Sequence, residues 1–310
     1  MLGLLAFDLG VLNRRDHEIG VRESLKLSAL YILVGLGYGA GVWWFLGRDA
    51  GIDYLTGFVV EKSLAMDNVF VIAMIFAYFG VPRMYQHRVL FWGILGVIVL
   101  RAAMIGVGAA LIRNFDWVLN VFAAFLIYSG VQMWRHAGTV YEVGESRALA
   151  WLKRHMRVTD EIAGHDFWVR KPDPETGKVV RYATPLLMAL LMIEFADIVF
   201  AVDSVPAIFA ITTDPFIVYT SNIFAVLGLR ALYFALAAMV ARFRYLKYAL
   251  AALLVFIGGK VFVADLLGVE KVPPALSLGV TFLILGAGVF WSLRRTRGGA
   301  KAGEAAPLAR

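Results

Sequence analysis

The sequence predicts an all-α membrane protein, a polytopic transmembrane helical bundle of about nine spans with an inverted-topology repeat of three helices. Of its 310 residues, 60% are hydrophobic, above the share of about 45–50% found in ordinary soluble domains. The mean hydropathy is +0.73. Several apolar runs approach the ~20 residues that cross a bilayer as a helix. Segments of about ten residues with alternating hydrophobicity, which are typical of membrane β-barrels, are not seen.

The apolar runs predict the spans in chain order. Residues 1–12 are too short to span a bilayer alone, and we interpret them as the inner end of a first helix; an interfacial segment is the alternative. The other spans are expected at residues 27–46, 54–79, 89–112, 117–134, 183–211, 216–241, 246–267 and 275–293. The organisation is therefore a first transmembrane half at 1–134, a loop at 135–182, a second transmembrane half at 183–293 and a basic, disordered tail at 294–310.

The loop at 135–182 is polar and charged. Turn-forming pairs such as Lys171–Pro172 and Thr176–Gly177 interrupt it, and a short amphipathic helix is expected near 146–157. Of the 30 Lys and Arg residues, 23 fall in alternate loops, three in the opposite loops and four within spans. Because positive loops stay on the cytoplasmic side, we expect the long loop and the C-terminus in the cytoplasm and the chain in the inner (plasma) membrane.

Composition excludes several kinds of function. The absence of Cys excludes disulfides, thiolate metal sites and cysteine nucleophiles. The net charge of +7 is explained by loop residues that orient the chain in the lipid bilayer, so no nucleic acid partner is expected. No nucleophile–base pair and no HExxH motif is evident. We therefore predict that the protein is not an enzyme and holds no prosthetic group.

Two apolar runs share an acidic pattern. Each has a carboxylate, a second carboxylate six residues later, and then a small hydrogen-bonding residue. The members are Glu61, Asp67 and Asn68 in one run and Asp197, Asp203 and Ser204 in the other. An acid at membrane depth costs about 2.5–3.5 kcal/mol on insertion scales, so such acids usually line a cavity or an ion or proton path. The duplication predicts an internal repeat with a cation site between its halves.

A second alignment supports the repeat. Residues 90–102 align with residues 219–231, which pairs Arg101 with Arg230 and Gly93 with Asn222. Spans three to five therefore match spans six to eight. An offset of three helices reverses the direction of the chain across the membrane, so the repeat is inverted, as in transporters that alternate access around a central site.

Oxygen-rich side chains without Cys or buried His favour hard divalent cations such as Mg²⁺, Ca²⁺ or Mn²⁺. The candidate metal ligands are Glu61, Asp67, Asn68, Glu194, Asp197, Asp203, Ser204 and Asn222. The candidates for charge pairing or gating are Lys62, Arg101, Arg230 and Lys260. Five acids exceed the needs of one divalent ion, so some should pair with these bases or carry protons. A carboxylate that trades a proton for a metal would couple export to proton uptake.

Simpler roles stay open for the same residues. The acid–arginine pairs could only hold the bundle together, Asn222 could join two helices, and Lys62 could extend to the interface. Residues six apart on a helix point about 120° apart, so Asp197 and Asp203 do not share a face. Either the helices break at the motifs, or each acid faces a different neighbouring helix. Pro206 favours a break in its span.

At these residues the sequence resembles the TerC/Alx family of integral membrane proteins. The resemblance runs over about residues 14–292. It is carried by LTGFVVEKSLAMDNVFV, FWGILGVIVLRA, FWVRK and IEFADIVFAVDSVPAIFAITTDPFIVYTSNIFAVLGLRALYF. It implies export of manganese(II) and an older link to tellurium resistance. It also implies that the family's intramembrane acids are Glu61, Asp67, Glu194, Asp197 and Asp203. The short first helix is the one departure.

We therefore expect a transporter that exports Mn(II) from the cytoplasm by proton exchange through an intramembrane acidic site. Mn(II) and protons would be its cargo. One alternative is a broader divalent-cation (Ca/Mn) exchanger that uses the same acids. The other is a membrane partner that metalates exported enzymes, in which case the loops would matter as much as the acids. A homodimer or the secretion machinery is the partner to consider.

Overall fold

The computed structural model describes residues 21–115, 117–136, 142–173, 177–236, 245–267 and 272–303. This part of the chain forms ten α-helices and one β-hairpin. The helices are α1 (Val21–Leu46), α2 (Arg48–Tyr78), α3 (Arg83–Asn114), α4 (Trp117–Arg135), α5 (Arg147–His155), α6 (Pro185–Phe209), α7 (Pro215–Val226), α8 (Leu229–Leu236), α9 (Leu246–Leu267) and α10 (Pro274–Gly303). The strands are β1 (Trp168–Pro172) and β2 (Val179–Ala183).

The predicted helical membrane fold is confirmed. Among the described residues, α1, α3, α4, α6, α9 and α10 are each long and apolar enough to cross a membrane, and α7 with α8 makes a seventh such unit if the pair is one bent span. Helix α2 has 31 residues, about 46 Å of helix, and it carries the first acidic motif. The predicted segment 1–12 lies outside the described residues, so the count of nine spans stays a prediction.

Helix packing brings the two helices that carry the acidic motifs into contact. Helix α2 packs against α7, α3 packs against α6, and α4 packs against α9, while α2 and α6 also contact each other. The largest apolar cluster of the core, which includes Phe76, Leu90 and Met192, lies where α2, α3 and α6 meet. Close packing of this cluster fixes the faces that the three helices present to one another, because van der Waals contacts between side chains hold helices together within a membrane.

The break predicted at Pro206 is wrong. Helix α6 continues from Pro185 to Phe209 through this proline. Pro206 lies in the last turn, so the hydrogen bond that it cannot make and the crowding of its ring against the preceding turn affect only the end of the helix. The break lies in the next span, at Leu227 and Gly228, where Gly228 has a φ of +81° and the axis bends by 40° between α7 and α8.

The loop between the halves is structured. Helix α5 is the predicted amphipathic helix, and it buries Leu149 and Leu152 in the core beside α6. Strands β1 and β2 form an antiparallel hairpin with Arg170 opposite Arg181, where only turns were predicted. In the tail, α10 continues to Gly303, so the predicted disorder does not begin at residue 294.

Candidate functional site

Arg101 is the centre of a buried charge cluster between the two halves. Its Nε donates to Asp197 Oδ2 at 3.3 Å, and its Nη2 donates to Asp197 Oδ1 at 3.1 Å. Its Nη1 donates to Glu61 Oε1 and, at 3.4 Å, to Ser204 Oγ. Glu61 comes from α2, Arg101 from α3, and Asp197 and Ser204 from α6. We call these four residues the charge cluster.

The charge cluster is shielded from solvent. Glu61 is 0%, Arg101 2%, Ser204 2% and Asp197 4% exposed. Desolvation of a charge is costly, and a buried ion pair compensates only if geometry and hydrogen bonding are good. The planar guanidinium meets this condition with Asp197, which it binds through two parallel N–H donors. With both carboxylates ionised, the three charged groups sum to −1.

Two buried side chains, one in the charge cluster and one on α7, carry polar atoms without a hydrogen-bond partner. Glu61, through Oε2, is one, and Asn222 on α7, with neither Nδ2 nor Oδ1 bonded, is the other. Asn222 is 0% exposed. Neighbouring residues bring α2 close to α7 at two points. A Cβ on Gly57 would lie 3.0 Å from Ser221 Oγ, and Lys62 Nζ donates to Ala225 O at 2.9 Å. Since buried polar atoms in proteins are nearly always bonded, these oxygens are candidates for contact with a cargo ion.

Glu194, one helical turn before Asp197, does not bind Arg101. Its carboxylate lies against α3 where Gly93 and Gly96 leave space: a Cβ on Gly93 would lie 4.0 Å from Glu194 Oε1, and a Cβ on Gly96 would overlap with the carboxylate. The absence of a side chain at Gly96 therefore accommodates an acid.

Asn68 and Asp197 share a cavity. The two residues line a cavity of about 20 Å³ between α2, α3 and α6, whose other walls are mainly apolar and include Gly93 and Phe200. About 10–15 Å³ is enough for one water molecule. The cavity therefore has room for a single small occupant next to the carboxylate of Asp197.

Asp67 lies apart from the charge cluster. It lines an open cavity of about 770 Å³ together with Glu142 and Glu145, which follow α4, and with Lys247 of α9. Lys247 Nζ also lies 5.5 Å from the centroid of the Phe70 ring. This cavity, which we call the vestibule, is lined in part by the loop between the two halves. Sequence reasoning missed Lys247, because a lysine at the start of a span is typical of an interface.

The remaining candidates have other partners. Asp203 forms a side-chain hydrogen bond with Ser129 of α4. Lys260 Nζ donates to Ser277 Oγ at 3.1 Å and thereby joins α9 to α10. Lys62 donates to backbone carbonyls of α7 and of the break that follows it, and Arg230 is buried in α8.

The structure thus divides the candidate ligands among several places. Glu61, Asp197 and Ser204 meet around Arg101, and Asn68 lines a cavity together with Asp197. In the described ranges of the chain, no three His, Asp or Glu side chains are grouped so that they could hold a metal ion together. The guanidinium of Arg101 occupies the space between the two central carboxylates, which explains why these acids do not form such a group.

Comparison with known proteins places the chain among membrane proteins. An uncharacterized membrane protein of Myxococcus xanthus is 46% identical over 96% of this chain and 90% of its own length. A candidate membrane-bound redox modulator named Alx is 47% identical in Salmonella typhi and 46% identical in Escherichia coli K12, each over 91% of this chain and 88% of its own length. No solved structure matches the chain.

The family model described as "Integral membrane protein TerC family" matches residues 46–299. The match covers α2 to α9 and most of α10, and therefore every candidate ligand. The resemblance inferred from the acidic motifs is confirmed, and the chain belongs to the TerC family of integral membrane proteins.

Proposed function

We propose that this protein exports Mn(II) from the cytoplasm across the inner membrane in exchange for protons, through the charge cluster. The observation that carries the proposal is the contact of Arg101 with Glu61 of the first half and with Asp197 of the second half, all nearly inaccessible to solvent. Intramembrane acids that pair across the interior of a bundle usually mark an ion or proton pathway. Membership of an integral membrane family supports a transport role.

The electrostatics of the cluster favour a cation. Two ionised carboxylates and one guanidinium leave one negative charge in a solvent-excluded site, and a proton or part of the charge of a metal ion would balance it. The oxygens of Glu61, Asp197 and Ser204 are the hard donors that Mn(II) accepts. The incoming ion would have to compete with Arg101 for the carboxylates, so the arginine acts as a tethered counter-ion when no cargo is bound.

The vestibule supplies a route to this site from the cytoplasmic side. Its wall carries three acids, Asp67, Glu142 and Glu145, against one lysine, Lys247, and a cavity of net negative charge raises the local concentration of cations. Asp67 lies six residues after Glu61, about 9 Å further along α2. A cation attracted into the vestibule would therefore be about two helical turns or less from the charge cluster.

The helix pairing supports the inverted repeat. If α2, α3 and α4 are related by a two-fold axis to α6, α7–α8 and α9, the contact of α2 with α7 must be repeated as that of α6 with α3. A contact between α4 and α9, which the axis exchanges, would map onto itself. All three contacts occur. A repeat of this kind would place the charge cluster at the interface between the moving halves.

Transport by purified protein in proteoliposomes tests the proposal. We would compare fluxes of Mn(II), Ca(II), Zn(II) and Mg(II), with and without a pH gradient, for the wild type, Glu61→Gln and Asp197→Asn. Asp49→Asn, an exposed acid in the first turn of α2, is the matched control. We expect Mn(II) flux that follows the pH gradient, is retained in the control and is lost in both cluster variants.

Each other result has a definite meaning. Equal fluxes of Ca(II) and Mn(II) would replace the proposal with a broader divalent-cation exchanger. Flux that is insensitive to the pH gradient would remove proton exchange. The absence of flux for all four ions in folded, reconstituted protein would overturn transport and favour a partner that delivers metal to exported enzymes.

A further inference from the structure

The break between α7 and α8 leaves backbone carbonyls without their helical partners. In a continuous helix each carbonyl accepts from the amide four residues later. Here Leu227 ends α7 with a ψ of 128°, and its own amide still bonds to Ile223 O. The amides of the first turn of α8 point away from the carbonyls that precede the break, which therefore need other donors.

Lys62 supplies these donors. Its Nζ donates to Ala225 O at 2.9 Å and to Leu227 O at 3.2 Å. Its side chain is partly buried, and it comes from α2, directly after Glu61. An ammonium group held by two backbone carbonyls at an unwound helix takes the place of a small monovalent cation, because such carbonyls coordinate cations in broken transporter helices.

The break is built into the packing and does not depend on Lys62 alone. Gly228 has a φ of +81°, a conformation that favours glycine. A Cβ at this position would lie 2.8 Å from the Cβ, Cγ and Cδ2 atoms of Tyr31 on α1, so glycine is required sterically as well. A chain with this bend keeps the carbonyls of Ala225 and Leu227 available even when no lysine is present.

We propose that the break between α7 and α8 is a monovalent-cation site and that the ammonium group of Lys62 is its resident, covalently tethered cation. Lys62 is in this sense a positioning residue, which fixes the bend of α7–α8 relative to Glu61 on the same turn of α2. Without the lysine side chain, the site takes a free cation of similar size, such as methylammonium or K⁺. The inference does not depend on the identity of the transported ion.

Thermal unfolding of the full-length protein in detergent tests this site without any transport assay. We would measure the midpoint for the wild type, Lys62→Ala and Lys62→Met while titrating methylammonium, K⁺ or choline at constant ionic strength. Lys26→Ala, an exposed lysine of α1, is the matched control. We expect Lys62→Ala to lose several degrees and to regain them saturably with methylammonium or K⁺. Choline, which is too large for the site, should have no effect.

The comparison variants make the result specific. Lys62→Met fills the space of the side chain without a charge, so its midpoint should be lowered and should not respond to added cations. The wild type and Lys26→Ala should respond to none of the three salts. An unchanged midpoint in Lys62→Ala, or a lowered midpoint that choline restores as well as methylammonium does, would overturn the proposal. If Lys62→Ala does not fold, the comparison of Lys62→Arg, which keeps the charge, with Lys62→Met, which does not, replaces it. A thermal midpoint for Lys62→Met equal to or above that for Lys62→Arg would overturn the proposal.

Discussion

Replacement of Arg101 by methionine should be among the most destabilising single changes in this protein. The substitution removes one charge and four hydrogen bonds. It leaves two carboxylates, Glu61 at 0% and Asp197 at 4% exposure, without a cationic partner. Removal of one partner from a buried ion pair costs about 3–5 kcal/mol. We expect the free energy of unfolding to fall by about that amount.

The same physics predicts that the loss can be reversed without restoring any charge. In the triple variant Arg101→Met, Glu61→Gln and Asp197→Asn, no ionised group remains in the cluster. Replacement of a whole buried ion pair by neutral groups is often close to neutral in free energy. The triple variant should therefore unfold with a free energy well above that of Arg101→Met and near that of the wild type, although it should not transport.

Equilibrium unfolding in mixed detergent micelles measures these differences. Arg113→Met is the control, because Arg113 is exposed at the C-terminal end of the same helix, α3, and its replacement should change the free energy by less than about 0.5 kcal/mol. The reasoning is refuted if Arg101→Met unfolds like this control, or if the triple variant is no more stable than Arg101→Met.

Three further changes probe separate contacts. Gly96→Ala should lower the unfolding free energy and disturb transport, because the new Cβ overlaps with the Glu194 carboxylate. The double variant with Glu194→Ala should recover stability. If it does not, the overlap is not the cause of the loss. Lys260→Met removes a hydrogen bond of 3.1 Å to Ser277, so it should cost about 1 kcal/mol and leave metal flux unchanged; loss of flux in a folded variant would instead place Lys260 on the pathway. Asp214→Ala removes the side chain that caps α7 and should lower the unfolding free energy by about 0.5–2 kcal/mol. Asp49→Ala, in the first turn of α2 where no side chain caps the helix, is the comparison in the same unfolding assay.

The sequence could predict the membrane class and most of the helices, because each depends on a property of a contiguous segment. Long apolar runs define spans whatever their neighbours are. The 120° separation of residues six apart left two outcomes for the acidic motifs, a break in the helix or different neighbours for each acid. The structure has the second: Asp197 faces Arg101 of α3 while Asp203 bonds to Ser129 of α4.

Other features depend on packing that no single segment records. The helix break could not be placed from the sequence. Gly228 lies in an apolar run, where a lone glycine is only a weak indication of a turn, whereas Pro206 in the preceding span is a stronger indication of a break. The partners of Lys62 are backbone carbonyls and therefore have no residue type to recognise. Identification of Arg101 as the partner of both Glu61 and Asp197 required the contacts of three helices.

The space that Gly96 leaves for Glu194 has an evolutionary consequence. Helices α3 and α6 are in contact there, and the volume of the carboxylate on one helix is compensated by the absence of a side chain on the other. A lineage that gains a methyl group at position 96 must either shorten residue 194 or turn the carboxylate away from α3. Changes at positions 96 and 194 should therefore be coupled wherever the carboxylate is needed in its present position.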